Sequence, residues 1–406
     1  MQFNKWISTA LLLLTVNAGA QTLTPEGEAA IDRYLQEQQM TTGIPGMVAL
    51  IVNKDGVIFE KAYGRMDVTN NKPMTQDAIF RIASMTKPIT STAIMMLVED
   101  GKIELDAPLS QYVPELGDRQ VFSSFNLDDG TFTAEPAKNE ITIRHLLTNT
   151  SGLGYAFVSP ELAKLSEGKP GARAIDFPLL FEPGTQWVYG ESTRVLGTVI
   201  ERVTGQGLFE FMQSRILGPL QMNDTSFDIP ADKNARTVTV WRSDGSQLLE
   251  SPNPAGVISS PVQGDGGLSS TARDYAQFIR LFLNDGSLNG QQLLKPETIA
   301  LMGESHTGEV RVGLMPTTNP LTSQPFPLGA GVDTYGLGFQ RTEGRVANMR
   351  SPGSLAWAGI FNTEFWIDPQ REVGAVLMMQ FMPFYHQAAI NVLQGFEEQV
   401  YTNLEK

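Results

Sequence analysis

A serine and a lysine one helical turn apart, Ser84 and Lys87, are the residues of this chain best suited to do chemistry. They follow the apolar run Ala78-Ile79-Phe80-Arg81-Ile82-Ala83 and precede a helical pattern through Thr90, Ala93, Ile94, Leu97 and Val98. If Ser84 opens that helix, Lys87 lies on the same face and its amine can meet the hydroxyl. The unpaired backbone N–H groups of a helix start would also favour negative charge beside the serine. Such an arrangement suits acyl transfer in which lysine, rather than histidine, takes the proton from a serine nucleophile. An ordinary N-cap serine followed by an exposed lysine would leave the same pattern. The spacing recurs at Ser166-Glu167-Gly168-Lys169, but Pro170-Gly171 follows, and no helix starts cleanly there.

The elements that must position these residues begin after an expected leader. Lys5, the apolar stretch Ile7 to Val16 and Ala18-Gly19-Ala20 form the three parts of a secretory signal peptide over residues 1–20, cleaved after Ala20. The expected location is therefore periplasmic or secreted, with no membrane span in the mature protein. The chain contains no cysteine, which excludes disulfides, a thiol nucleophile and an N-terminal lipid anchor on cysteine. Without the leader, 29 basic residues face 44 acidic ones. That balance argues against nucleic acid or anionic membrane as a partner.

Helical spacing marks the stretch after Pro25, and also Ile143–Leu147, 193–204, 272–283, 293–302 and 387–401. Val48–Val52 and Val57–Phe59 flank Asn53-Lys54-Asp55-Gly56 as a hairpin, and strands are expected over 335–341, 364–368 and 373–380. Residues 126–139 and 166–172 read as polar loops. Strands at both ends with helices between them predict an α+β fold. Its antiparallel sheet would come from 21–105 and 266–406, a mostly helical region from 106–265, and the active site would lie between them.

Further motifs occur in a telling order. Trp187-Val188-Tyr189-Gly190-Glu191-Ser192 precedes Val195-Leu196-Gly197-Thr198-Val199-Ile200-Glu201, and Gly266-Gly267-Leu268-Ser269-Ser270-Thr271 precedes Asp274-Tyr275. Gly336-Leu337-Gly338-Phe339, Trp357-Ala358-Gly359 and Phe365-Trp366-Ile367-Asp368-Pro369 follow. Together with the Ser84 motif they resemble the serine β-lactamase and penicillin-binding superfamily, in its class C-like branch and closest to the family VIII carboxylesterases. The resemblance covers nearly all of the mature chain and implies a β-lactamase-like fold.

It also implies roles: Ser84 as nucleophile, Lys87 as general base, and Tyr189, at the Y-x-N-like position, as a second proton-transfer group. The oxyanion hole would be the backbone N–H groups of Ser84 and Ile360. Trp357, Gly359 and Glu191 would touch the substrate, an ester or amide, with no cofactor and no metal. Lysine and tyrosine ordinarily titrate near ~10, so burial and mutual proximity must retune them for work at neutral pH. Two departures favour esters over β-lactams. Trp357 replaces the lysine of K-T-G, and Glu191 replaces the asparagine of Y-x-N, where it could repel an anionic substrate or pair with Lys87. Asp265, just before the glycine pair, has no role assigned by the pattern.

The leading expectation is therefore an exported serine hydrolase of short-chain carboxylic esters. A β-lactamase or D-amino-acid peptidase is the alternative, and an inactive binding protein on the same scaffold is a third. The three histidines, His145, His306 and His386, are too scattered to suggest a Ser-His-Asp triad, and neither G-x-S-x-G nor H-E-x-x-H occurs. His145 reads as a satisfied core histidine, Met95 and Met96 as core residues, and Asp128-Asp129-Gly130 as a solvated turn.

Overall fold

The computed structural model describes residues 21–243, 248–250 and 261–405. The predicted leader lies outside these residues. Among the described residues no helix is long and apolar enough to cross a membrane.

Eight strands form one antiparallel sheet, and its order explains how distant segments meet. Strands β1 (Gly46–Asn53), β2 (Val57–Asp67) and β3 (Lys72–Pro73) come from the N-terminal side of the chain. Strands β4 (Thr334–Tyr335), β5 (Gln340–Arg341), β6 (Leu355–Gly359), β7 (Thr363–Asp368) and β8 (Val373–Met378) come from the C-terminal side. The order is β4-β5-β6-β7-β8-β1-β2-β3, so β8 joins the halves with Val48 opposite Met378. Strand β1 is buried along its whole length because helices cover both faces of the sheet. In the β1–β2 turn the Asn53 side chain accepts from the backbone N–H groups of Asp55 and Gly56, both at 2.8 Å.

Helices α1 (Pro25–Thr41) and α9 (Gln387–Asn403) cover one face, with Ile31, Leu35, Val392 and Phe396 buried against Ala49, Ile51 and Trp366. On the other face lie α2 (Thr86–Glu99) and α7 (Ala272–Leu283), with α8 (Pro296–Gly303) near the β4 edge. Between α2 and α7 the chain runs through α3 (Ile143–Leu147), α4 (Pro160–Ser166), α5 (Ser192–Thr204) and α6 (Leu208–Met212). Their apolar faces join α2 in one continuous core with the sheet.

Three local expectations need correction. Residues 126–139 are not simply a loop, because Phe132–Pro136 pairs with Gln120–Phe125 as a hairpin. Its strands are mostly exposed, so no buried alternation marks them in the sequence. Residues 335–341 are two short strands around a tight turn: Gly338, at φ 102°, lies so close to Ser91 that a Cβ would fall 2.4 Å from the serine Cβ. The helix expected from Leu293 begins only at Pro296, which occupies its first turn.

Candidate active site

Ser84 does not open α2 itself. It sits in a 3-10 turn, Ala83–Met85, placed one step ahead of the α-helix by Ala83, whose φ of 44° is left-handed. A non-glycine residue held there signals a backbone fixed by its surroundings. Phe80–Arg81 pairs with Ser269–Ser270 just before this turn, and the Thr86 hydroxyl accepts from Leu268 N–H at 3.2 Å. The Thr90 hydroxyl donates to Gly264 O at 2.6 Å. These contacts fasten the 264–268 loop to the start of α2.

Tyr189, just before α5, donates its phenol to Ser84 Oγ at 2.6 Å. Lys87 is 1 % exposed and donates to the Asp265 carbonyl at 2.6 Å and to the Tyr155 phenol at 2.9 Å. The tyrosine, rather than the lysine, is thus the hydroxyl's hydrogen-bond partner in this structure. Lys87 Nζ lies 4.9 Å from the Tyr189 ring centroid and 5.1 Å from that of Tyr155.

The electrostatics follow from burial. Desolvation lowers Lys87 to about 8; Asp265 opposes the shift and Arg194 adds to it. Burial raises Tyr189 above the ordinary phenol value, while the Ser84 hydroxyl and the nearby Trp357 indole favour its anion. The Trp357 N–H nevertheless finds no partner in hydrogen-bond geometry among the described residues. For Asp265, burial pushes the carboxyl up, but the charges of Lys87 and Arg194 outweigh that and hold it below its usual range. Arg194 reaches Asp265 at 3.0 Å, and the Tyr155 phenol donates to the other carboxylate oxygen.

Above Ser84 opens a cavity of about 430 Å³, lined by Ser84, Tyr155, Tyr189, Asp265, Trp357 and Ile360 among others. Ser84 and Ile360 both line it, and neither backbone N–H has a backbone partner among the described residues. The Trp357 ring lies 5.1 Å from that of Tyr189.

Two expected substrate contacts are placed elsewhere. Glu191 is buried behind the wall, beside Arg173 at 3.4 Å and Arg194 at 3.7 Å, and it does not pair with Lys87. Gly359 does not line the cavity: a Cβ there would sit 2.3 Å from Ile82 O, so its smallness lets β6 approach the segment before Ser84. The histidines serve other ends. His145 closes a capping box on α3, His306 bridges Arg144 and the Leu301 carbonyl, and His386 caps α9. Asp129 accepts from Thr131 within its own turn.

Tyr155, Arg194 and the role of Asp265 escaped the sequence reading. The contacts from Lys87 span 68 and 178 residues, and no local pattern carries such a link.

The Beta-lactamase family profile matches residues 31–394. The chain belongs to this family. It is 34% identical over 385 residues to Esterase EstB of Burkholderia gladioli, an alignment covering 88% of this chain and 91% of that protein. It is 32% identical over 400 residues to Lovastatin esterase of Penicillium rubens, covering 91% and 98%. Among solved structures, the LovD6 mutant of simvastatin synthase from Aspergillus terreus superposes with a TM-score of 0.80 at 25% identity, covering 93% of this chain and 95% of that one. The protein is thus an enzyme of the β-lactamase-fold group of serine hydrolases, esterases and acyltransferases.

Proposed function

We propose that the protein hydrolyses short-chain carboxylic esters through an acyl-enzyme on Ser84. The observation that carries this reading is the 2.6 Å contact from Tyr189 to Ser84 Oγ, backed by a buried Lys87 lowered to about 8. As Ser84 attacks the ester carbonyl, its proton passes to the Tyr189 oxygen while the phenol gives its own proton to the neutral Lys87 amine, so the phenol stays uncharged and the ammonium holds the proton for the leaving alkoxide. The Ser84 and Ile360 N–H groups stabilise the tetrahedral oxyanion. The alkoxide leaves with a proton, and water, activated by the same groups, then attacks the acyl carbonyl and frees Ser84. An alcohol in place of water would give acyl transfer by the same chemistry, and relatives of this chain are named both as esterases and as acyltransferases. We also propose that the protein is exported, with the leader removed after Ala20.

Trp357 offers the substrate an apolar ring rather than an ammonium. Losing a charge-assisted contact to a substrate carboxylate costs ~1.5–3 kcal/mol, or roughly 10- to 160-fold in binding. One observation favours the alternative, a β-lactamase or D-amino-acid peptidase. Arg81 lines the cavity, and burial lowers it with no acid among the described residues acting against that, so the cavity does have a cation in its lining.

A fluorophosphonate probe should label the peptide containing Ser84, and Ser84→Ala should abolish the labelling. Purified protein should hydrolyse p-nitrophenyl butyrate with kcat/KM more than about tenfold above that for nitrocefin, the lower end of that penalty. Efficient nitrocefin or D-alanyl-peptide turnover with the ester nearly untouched would replace the esterase by the alternative. Arg81→Leu would then be expected to abolish the preference for the anionic substrate.

A further inference from the structure

A second cavity, of about 380 Å³, lies on the other face of the sheet, between β6, β7 and α9. Its size falls in the range of small-molecule sites. Phe326, Trp357 and Ala358 border both cavities, so a thin partition separates this space from the catalytic one. Glu364 projects from β7, opposite Ala358, and is only 9 % exposed. Its carboxyl has no hydrogen-bond partner among the described residues. Tyr385 is 2 % exposed, and its phenol oxygen likewise has none. The Tyr385 ring lies 4.1 Å from that of Phe326.

A buried phenol without a partner is costly, and beside it the unpartnered Glu364 carboxyl opens onto the cavity, so the wall offers two polar groups with nothing among the described residues to bind. The other ionic groups there are already matched. Arg350 forms a two-pronged pair with Glu397 at 2.8 and 2.5 Å. Asp333 accepts from Gln340 at 2.8 Å and from Glu343 N–H at 3.0 Å.

Charge then selects the ligand. A carboxylate would face Asp333 and Glu397 with the nearest cation already taken. A cation would meet Arg350 and would require Glu364 to ionise, although burial drives that carboxyl well above its usual range. A neutral acid and a phenol each have an O–H to donate, and a carbonyl oxygen has two lone pairs to accept them. We propose that this second cavity binds a small uncharged molecule with an apolar body and a carbonyl oxygen, held by Glu364 and Tyr385. The apolar wall, including Met349, takes the body of the ligand. The inference is independent of the reaction proposed at Ser84.

Benzophenone provides the test, because it is an uncharged aryl ketone that attaches to neighbouring C–H groups on irradiation. Peptide mapping distinguishes the cavities: Met349 lines this one and Met315 the catalytic one. Label is expected on the Met349 peptide and should be displaced by benzamide. Glu364→Leu with Tyr385→Phe should cut it at least about tenfold, as expected for two lost hydrogen bonds, without affecting label at Met315. Glu364→Gln, which keeps a donor, should retain it within about twofold. If the double variant does not fold, Tyr385→Phe alone, which removes one oxygen, should still lower labelling at Met349 severalfold. Absence of label at Met349, label insensitive to these substitutions, or displacement by benzoate or benzylammonium as efficient as by benzamide would each overturn the proposal.

Discussion

Among the described residues, the buried Lys87 and the largely covered Arg350, whose side chain is 13 % exposed, are two cations with opposite surroundings. Lys87 touches a carbonyl and a phenol, with no carboxylate oxygen in direct hydrogen-bond contact. Arg350 is held by both carboxylate oxygens of Glu397, which also accepts from the Arg350 backbone N–H. Burial lowers the first to about 8. Burial would lower the second too, but the charge and hydrogen bonds of Glu397 outweigh it and raise Arg350 above the ordinary arginine value. A buried cation clamped by an acid is fixed in one protonation state and serves the fold. A buried amine with its nearest acid engaged elsewhere can change state near neutral pH, which is what proton transfer requires.

The largest expected effect breaks the structural half of this contrast. Glu397→Gln leaves Arg350 charged and uncompensated in the interior, a situation that typically costs about 3–5 kcal/mol. Denaturant unfolding should show a loss on that scale. Replacing both partners, Arg350→Met with Glu397→Leu, should recover most of it because no lone charge remains. A loss under about 1 kcal/mol for Glu397→Gln would mean that water reaches the pair and that it does not anchor α9.

The catalytic half should respond in the opposite manner. Lys87→Met and Tyr189→Phe should each lower turnover at least ~100-fold, the scale of general acid–base groups, which is about 2.7 kcal/mol of barrier. Their unfolding free energies should fall by less than that of Glu397→Gln. Near-normal turnover of p-nitrophenyl butyrate by either folded variant would remove that residue from the proton pathway.

How much of this was legible in the chain depends on the range of each contact. The sheet could be read from its two ends because β1 and β8 are apolar runs, and β7 carries Phe365-Trp366-Ile367 at its centre, so burial leaves a direct mark on composition. Ser84 and Lys87 are neighbours in sequence, and Tyr189 stands in an ordered family motif. Trp357, expected to touch the substrate, was found lining the cavity, where its strand places it whatever faces it. Glu191 was not: its position in the motif suggested substrate, whereas Arg173 and Arg194 draw it into the wall. Asp265 was conspicuous but unassigned because its role depends on Arg194, Tyr155 and Lys87 arriving from three other segments. The hairpin at 120–136 stayed hidden for a different reason, its strands being mostly exposed, with no face buried in the core.

A smaller effect concerns the position of the pH dependence. If neutral Lys87 is the working form, kcat/KM for an ester should rise with pH through a limb near 8, well below the ~10.4 of a free lysine. The sign follows from burial, which disfavours the ammonium and frees the amine at lower pH. A limb near 10, or a flat profile that persists in Lys87→Met, would separate catalysis from this titration.

The smallest effect is also the sharpest, because two neighbours of Lys87 push in opposite directions. Asp265 favours the ammonium and Arg194 disfavours it. Asp265→Asn should therefore move the limb to lower pH, and Arg194→Gln should move it to higher pH, each by up to about one unit. Asparagine keeps the backbone carbonyl that accepts from Lys87, so the contact survives while the side-chain charge is lost. Both variants should keep the melting behaviour of a folded protein, and Arg350→Lys, on the far face of the sheet, should leave the limb in place. Shifts of the same sign for Asp265→Asn and Arg194→Gln would show that the limb reports a general change in the pocket rather than the charge on Lys87. The contrast between the two buried cations would then lose its catalytic half.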